Sequence, residues 1–231
     1  MRENEIRISA IIPVFNAKSH IEYFAGRLAE TLQKTGSNFE MIFVNDGSND
    51  GTLEQLSRLA QEDKRLKLVS QPDNRGQYHA INKGLALARG EILIIMDDDQ
   101  EYALEYVPLL LKEINSGADL ALGWRIKRKI APWRNLGSRM INLILSILIG
   151  KRVHDLGGIK VFGNRGASVL RSRASLLGSV RFFGHFRIIQ IKMDDRSCRT
   201  SRYNFKKLLL LFIQIISAQL RGTKADFKKG G

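Results

Sequence analysis

The sequence predicts an α/β fold whose core is a mainly parallel sheet with helices on both faces. Over the first 123 residues, short apolar runs alternate with stretches in which apolar residues recur every three or four positions. Runs of the first kind are typical of strands buried on both sides, and stretches of the second kind are typical of amphipathic helices. The chain has 231 residues, 44% of them hydrophobic, which is enough to enclose one sizeable core.

Five strands and four helices are predicted in this first part. The strands are expected at 6–14, 39–44, 66–69, 92–96 and 118–122. The helices are expected at 21–32, 53–60, 80–88 and 106–114. Ligands of such sheets bind beyond the carboxyl ends of the strands, and three of these strands are followed by polar residues.

The remaining chain has a different pattern. Two further strands are expected at 159–162 and 188–193, and two amphipathic helices at 132–149 and 205–220. The apolar run of the last helix is about 10 residues, well short of the roughly 20 that span a bilayer. This helix is therefore predicted to lie in a membrane interface or, equally well, to pack on the protein's own core.

Charge divides the chain into an acidic and a basic part. Residues 1–120 carry 19 acidic and 13 basic side chains, a net charge of −6. Residues 121–231 carry 4 acidic and 24 basic side chains, a net charge of +20. The acidic part suits a cation site, and the basic part suits a polyanionic partner such as nucleic acid, anionic lipid or a phosphorylated acceptor, unless it is simply solvated surface.

Cysteine content and the N-terminus point to the cytoplasm. The single cysteine, Cys198, excludes an internal disulfide framework and offers no zinc-binding spacing. The first ten residues contain no apolar core of a signal peptide, so we expect no secretion. A reducing compartment fits both observations.

The strongest local signal is the run Asp97-Asp98-Asp99 directly after an apolar strand. Three adjacent carboxylates repel one another unless they are solvated or bound to a cation. Alternation along a strand would place Asp97 and Asp99 on the same side, where they could hold Mg²⁺ or Mn²⁺. An acidic turn without a metal is the alternative.

Two polar loops give weaker signals. In the segment 45–52, Asp46 could hydrogen-bond a nucleobase or ribose, whereas Ser48, Asn49 or Asp50 could merely cap the following helix. In the segment 73–77, Arg75 could meet a phosphate.

Three segments together carry a resemblance to a known family. They are ISAIIPVFN, FVNDGSNDGT and NRGQYHAINKGLALARGEILIIMDDDQEY. In this order and spacing, residues 6–125 resemble the family 2 glycosyltransferases with the GT-A fold. The downstream part is similar to the branch that transfers sugars to dolichyl or undecaprenyl phosphate, on the residues Gly123-Trp124-Arg125, Arg134, Ser138, Asn142, Asp155, 158–160, Arg196 and 201–203.

The resemblance implies a role for each matching residue. It implies that Asp97 and Asp99 hold the metal, Mg²⁺ or Mn²⁺, against a diphosphate. The implied nucleotide-sugar site consists of Pro13, Phe15, Asn16, Asp46, Asn74, Arg75, Gly76 and Asp98. The implied acceptor-phosphate site consists of Arg125, Arg134 and Ser138, with Arg196 and Arg202 as possible helpers. The implied catalytic residues are Asp97, Asp99, Arg125, Arg134 and Ser138.

The expected protein is thus one glycosyltransferase domain over 1–231, with a nucleotide-sugar-binding half at 1–123 and a basic half at 124–231 that faces acceptor and membrane. We expect an inverting enzyme that moves a sugar from a nucleotide-diphosphate sugar to a polyprenyl phosphate. It would lie on the inner face of the membrane, attracted by an anionic surface, and would bind no nucleic acid. The alternatives are a soluble transferase acting on a glycan hydroxyl, and a non-catalytic basic binding or partner protein.

Overall fold

The computed structural model describes seven strands that form one sheet. It describes residues 5–99, 101–126, 143, 146–147, 149–151, 158–173, 175–176, 179–180, 182–183 and 186–194. The strands are β1 Ile8–Val14, β2 Phe39–Asp46, β3 Leu66–Gln71, β4 Ile92–Ile95, β5 Leu120–Ile126, β6 Lys160–Phe162 and β7 Ile188–Asp194.

The strand order in the sheet is β3-β2-β1-β4-β6-β5-β7. The four strands from β3 to β4 are parallel neighbours, and β7 is parallel to β5. The short strand β6 lies between β4 and β5 and is antiparallel to both, so β4 and β5 run in the same direction. Because β1 has β2 on one side and β4 on the other, the chain order reverses at β1, which is where such sheets form a ligand crevice.

Helices cover both faces of the sheet. They are α1 Ile21–Gln33, α2 Thr52–Glu62, α3 Gln77–Leu87, α4 Val107–Asn115 and α5 Asn164–Arg173, with a 3-10 helix at Glu101–Tyr106. One apolar cluster joins α1, α2 and α4 to one face, and a second joins α3 and α5 to the other. Every residue of β1, β2 and β4 is buried, as expected of strands covered on both sides.

The predicted fold class is confirmed. All seven predicted strands are present, with ends that differ from the expected ones by up to four residues. The four predicted helices of the first part are also present, although α3 begins at Gln77, three residues earlier than predicted. Helix α5 was not predicted, because its sequence NRGASVLRSR contains few apolar residues. The predicted helix at 205–220 and most of the one at 132–149 lie outside the described residues.

The described part of the chain contains no helix that is both long enough and apolar enough to cross a membrane.

A buried carboxylate ties three strands together at the edge where they begin. Glu40 accepts hydrogen bonds from the Ser9 hydroxyl at 2.6 Å and from the Arg89 backbone N–H at 2.8 Å. The Lys67 ammonium lies 2.6 Å from its other oxygen. Burial alone would raise the pKa of Glu40, but the hydrogen bonds from Lys67, Ser9 and Arg89 outweigh it and lower that pKa.

We expect Glu40→Gln to lower the free energy of unfolding by about 2 kcal/mol at pH 7, because a hydrogen-bonded charge is lost from a buried position. Because the folded-state pKa is lowered, Glu40 stabilises the protein above the unfolded carboxyl pKa of about 4.3, and this stabilisation is lost as the pH falls through the folded pKa. Urea unfolding at several pH values measures both effects.

The matched control is Glu30→Gln, since the exposed Glu30 pairs with Lys34 at 2.7 Å on the surface of α1. Such a pair contributes little, so this variant should unfold like the wild type. An equal stability of Glu40→Gln and wild type at pH 7 would contradict the assignment.

Candidate active site

The polar segments singled out in the sequence meet at one edge of the sheet. Strands β1, β2 and β4 are parallel, and the register pairs Val14 with Asn45 and Ile11 with Ile95. Their carboxyl ends therefore lie side by side, and the loops that follow them share this edge. It is the edge at which ligands of open α/β sheets bind.

Asn16 joins the loop after β1 to the loop after β2. Its backbone N–H donates to the Ser48 hydroxyl at 3.0 Å, and its side-chain oxygen accepts from the Asn49 backbone N–H at 3.0 Å. Asn16 has a φ of 51°, in the left-handed region that asparagine tolerates better than most residues. Its side chain is thus engaged in holding the two loops together.

A second pair of contacts reinforces this junction. The Ala17 N–H donates to the Thr52 hydroxyl at 2.9 Å, and the Lys18 N–H donates to an Asp50 oxygen at 3.1 Å. The other Asp50 oxygen accepts from the Thr52 N–H at 3.0 Å. Burial opposes ionisation of Asp50, but the hydrogen bonds from Thr52 and Lys18 prevail and lower its pKa. Asp50 is therefore ionised at neutral pH.

Of the three alternative caps of α2, Asp50 bonds a helix amide, although it is not the N-cap residue. The N-cap residue is Gly51, with a φ of 91° and no side-chain cap hydrogen bond. Asp50 accepts a hydrogen bond from the backbone N–H of Thr52, the first helical residue, as a capping side chain would. Its other oxygen accepts from the Lys18 N–H and so holds the loop after β1.

Asp46 organises the loop that follows β3. It is only 3% exposed, and its carboxylate accepts from the Gln71 side-chain amide at 3.0 Å. It also accepts from the backbone N–H groups of Arg75 at 2.9 Å and Gly76 at 2.8 Å. Three donors on one carboxylate fix the path of the chain into α3.

Gly47 explains why the turn after Asp46 needs a glycine. Its φ is 70°, and a Cβ atom there would lie 2.6 Å from the backbone of Asp73 and Asn74. A side chain at this position would therefore push the two loops apart, in addition to the strain of the left-handed backbone.

The three aspartates lie beyond the end of β4, which stops at Ile95. Strand alternation therefore does not place Asp97 and Asp99 on the same side, because neither residue is in the strand. Asp97 and Asp98 are half-buried, and Asp99 is exposed.

Side chains at the starts of α1 and α3 contact this run. The Gln77 side-chain amide, at the start of α3, donates to Asp97 Oδ1. His20 Nε2, at the start of α1, lies 3.0 Å from Asp98 Oδ2. Neither contact was foreseen from the sequence. The available sequence signal was the position of both residues, since His20 and Gln77 lie at the starts of helices that follow polar loops.

The donor chemistry of the aspartate run fits a hard divalent cation. Carboxylate oxygens are the ligands that Mg²⁺ and Mn²⁺ prefer. Within the described residues, no three His, Cys, Asp or Glu side chains form a metal-binding group. Mg²⁺ is commonly held by only one or two carboxylates and completes its coordination with water and phosphate oxygens.

The other predicted site residues are placed as follows. Pro13 is buried inside β1, while Phe15 is 38% exposed just beyond its end. Asn74 and Arg75 are exposed on the loop held by Asp46, next to Gly76. The backbone of Arg125 lies near the end of β5, but its side chain is outside the described part of the structure. Four further predicted residues lie outside it altogether, namely Arg134, Ser138, Arg196 and Arg202.

His79 lies half-buried in the first turn of α3. Burial, with the nearby charges of Arg75 and Lys83, lowers the pKa of His79, so its ring is neutral at pH 7. It adds no positive charge to this edge of the sheet.

Comparison of the structure with solved proteins identifies the fold. Glucosyl-3-phosphoglycerate synthase from Mycobacterium tuberculosis, solved in complex with Mn²⁺, uridine diphosphate and phosphoglyceric acid, superposes with a TM-score of 0.67. The match covers 94% of this chain and 78% of that one at 19% sequence identity. This confirms a glycosyltransferase fold of the GT-A type.

Sequence comparison then gives the family. Residues 9–178 match the family model of glycosyl transferase family 2, so the chain belongs to that family, as the resemblance implied. An undecaprenyl-phosphate 4-deoxy-4-formamido-L-arabinose transferase of Pectobacterium atrosepticum is 28% identical over 217 residues, which cover 91% of this chain and 66% of that protein. A dodecaprenyl-phosphate galacturonate synthase of Rhizobium johnstonii is 28% identical over 183 residues, covering 78% and 51%. The chain thus spans less than two thirds of the length of these relatives.

We expect Asp46→Asn to lower the free energy of unfolding by about 1–3 kcal/mol, because one carboxylate oxygen becomes an amide N–H₂ that faces a donor in a buried position. The loop held by Asp46 should also open more often. Urea unfolding measures the first effect, and hydrogen exchange at the Arg75 and Gly76 amides measures the second.

Asp73→Asn is the control for this variant, since Asp73 is exposed on the same loop. Its stability should stay within about 0.5 kcal/mol of the wild type. Unchanged exchange at the Arg75 and Gly76 amides in Asp46→Asn would show that Asp46 does not hold this loop.

Proposed function

We propose that this chain is an inverting glycosyltransferase that moves a sugar from a nucleotide-diphosphate sugar to a polyprenyl phosphate at a membrane surface. The observation that carries the proposal is the run Asp97–Asp99 at the carboxyl end of β4, on the same edge as the Asp46 loop. The polyprenyl-phosphate acceptors in the names of the two relatives agree with it.

The donor site follows from the chemistry of this edge. Pro13, Phe15 and Asp46 line the nucleotide pocket in this proposal, and the exposed Arg75 offers a cation to the diphosphate. The contacts of Asp46 with the Arg75 and Gly76 amides support a role in shaping that pocket, before any contact with the nucleotide itself.

Asp97 and Asp99 would hold the divalent ion, Mg²⁺ or Mn²⁺. When bound there, such an ion stabilises as a Lewis acid the negative charge that builds on the leaving diphosphate. The chain's own contribution is to present the two carboxylates beside the phosphates. Gln77 supports this by donating a hydrogen bond to Asp97.

The acceptor site is assigned to the basic part of the chain. A lipid phosphate and a nucleotide diphosphate are both anionic and repel each other. Arg125, Arg134 and Ser138 would offset this repulsion and orient the attacking oxygen, with Arg196 and Arg202 in support. A phosphate oxygen is already deprotonated near neutral pH, so the reaction needs no general base from the protein.

The same charge would bring the protein to its acceptor. Residues 121–231 carry a net charge of +20. Each Lys or Arg close to an anionic membrane contributes about 1 kcal/mol to binding, so a few such contacts suffice for reversible attachment. We propose that this attraction holds the chain on the inner face of the membrane.

The metal assignment is tested with Asp97→Asn and Asp99→Asn. A nucleoside diphosphate with Mn²⁺ at about 100 times its Kd should stabilise the wild type by about 2.7 kcal/mol, and this gain should disappear in both variants. Both should fold, because neutralising one carboxylate relieves repulsion. Thermal shift with uridine, guanosine, cytidine and thymidine diphosphates, with and without Mn²⁺, also identifies the base.

The control is Glu91→Gln, since Glu91 is an exposed carboxylate at the opposite end of β4. It should respond to nucleotide and Mn²⁺ like the wild type. A wild-type response that does not need a divalent ion, or one that survives in Asp97→Asn and Asp99→Asn, would refute the metal site.

The acceptor is tested with Arg125→Ala and Arg134→Ala. Losing a charged hydrogen bond costs about 1.5–3 kcal/mol, so kcat/KM for a polyprenyl phosphate should fall by roughly 10- to 100-fold while donor affinity stays constant. The assay measures sugar transfer to a short polyprenyl phosphate and, in parallel, to a neutral oligosaccharide.

Arg58→Ala is the control, because Arg58 forms an exposed ion pair with Glu22 far along α2 from the site edge. It should leave transfer unchanged. Transfer to the oligosaccharide but not to the lipid phosphate would favour a soluble transferase acting on a glycan hydroxyl. Loss of donor affinity in Arg125→Ala or Arg134→Ala would show that these arginines bind the donor and not the acceptor.

A further inference from the structure

The three aspartates of the candidate metal site differ in their contacts. Asp98 Oδ2 lies 3.0 Å from His20 Nε2, and the two side chains are only 15% and 12% exposed. These residues are 78 positions apart in the chain. The contact therefore joins the start of α1 to the turn after β4.

The support for His20 is rigid. His20 immediately precedes Ile21, which is fully buried, and its backbone N–H donates to the Ala17 carbonyl at 3.0 Å. Ala17 in turn donates to the Thr52 hydroxyl of the neighbouring loop. The imidazole is thus presented from a part of the backbone that the core and two loops hold in place.

The hydrogen bond has a defined direction. An ionised Asp98 can only accept, so Nε2 must carry the proton. The Ser19 hydroxyl lies 3.3 Å from His20 Nδ1 and can donate to it, which favours the tautomer with a proton on Nε2. A neutral ring is sufficient for this contact.

From this contact we infer that His20 is a positioning residue of the metal site. It engages Asp98, the middle aspartate, whose two neighbours Asp97 and Asp99 are the proposed metal ligands. This inference rests on the metal site of the proposed function and adds a residue to it that does not touch the ion.

The physical basis is preorganisation. Asp98 shares a peptide plane with each of the two proposed ligands, so fixing its side chain restricts the backbone between them. The donated N–H also offsets part of the repulsion among three adjacent carboxylates. Without it, Asp98 would be free to turn, and Asp97 and Asp99 would have to be ordered when the ion binds.

The test measures Mn²⁺ binding directly, by the loss of the free-ion electron paramagnetic resonance signal on titration of the full chain. His20→Phe keeps a ring and removes the donor. We expect its Mn²⁺ affinity to fall by about tenfold or more, as is usual when an outer partner of a metal site is lost. His20→Gln restores an N–H at a similar reach and should recover most of the affinity.

Glu22→Gln is the matched control, because it removes the exposed Glu22–Arg58 pair in the first turn of the same helix. It should bind Mn²⁺ like the wild type. Thermal unfolding is recorded for every variant, since a purely structural role would lower Tm without changing the Mn²⁺ affinity of the folded protein. If His20→Phe does not fold, His20→Asn replaces it, because its shorter amide stops before Asp98.

The outcomes are distinct. Equal or tighter Mn²⁺ binding by His20→Phe overturns the inference and leaves the metal site intact. Equally weak Mn²⁺ binding by His20→Phe and His20→Gln shows that the imidazole ring acts by packing and not by its hydrogen bond to Asp98. This result also overturns the inference. If the wild type binds no Mn²⁺ either alone or with the nucleoside diphosphate that gives the largest thermal shift, the proposed metal site is itself wrong and the inference fails with it.

Discussion

The candidate active site depends on side chains that satisfy loop amides at the carboxyl edge of the sheet. Loops leave the strand ladder at this edge, so their N–H groups need other partners. Asn16, Ser48, Asp50 and Thr52 supply them between the first two loops, and Asp46 supplies them to the loop before α3. Polar residues of the candidate site thus also hold its loops in place.

Because the same residues form the site and hold its loops, the sequence predicts where the site lies but not the contacts within it. Strand and helix positions follow from apolar periodicity, and the edge on which polar residues meet follows from a parallel sheet. The partners of those residues do not follow, because the Asp98–His20 and Asp46–Gly76 contacts join parts of the chain that only the tertiary fold brings together. Spacing along the sequence contains no record of such contacts.

The extent of β4 shows a second limit. The apolar run suggested a strand to Met96 and an alternation that continued into the aspartates, yet the strand ends at Ile95 and the chain turns. A strand end is set by where its neighbours stop pairing, which hydrophobicity does not encode. Helix α5 was not predicted because it has too little apolar periodicity. Only three of its residues are buried, and its sequence is mostly polar.

The position of β6 has a geometric consequence. Because this strand is inserted between β4 and β5, Ile95 of β4 and Leu122 of β5 lie level with each other, two strand spacings or about 9–10 Å apart. Backbone hydrogen bonds set that spacing, so changes in the loops do not alter it. The aspartate segment follows β4 and the Arg125 segment continues β5, so both leave the sheet from strands whose separation the backbone fixes.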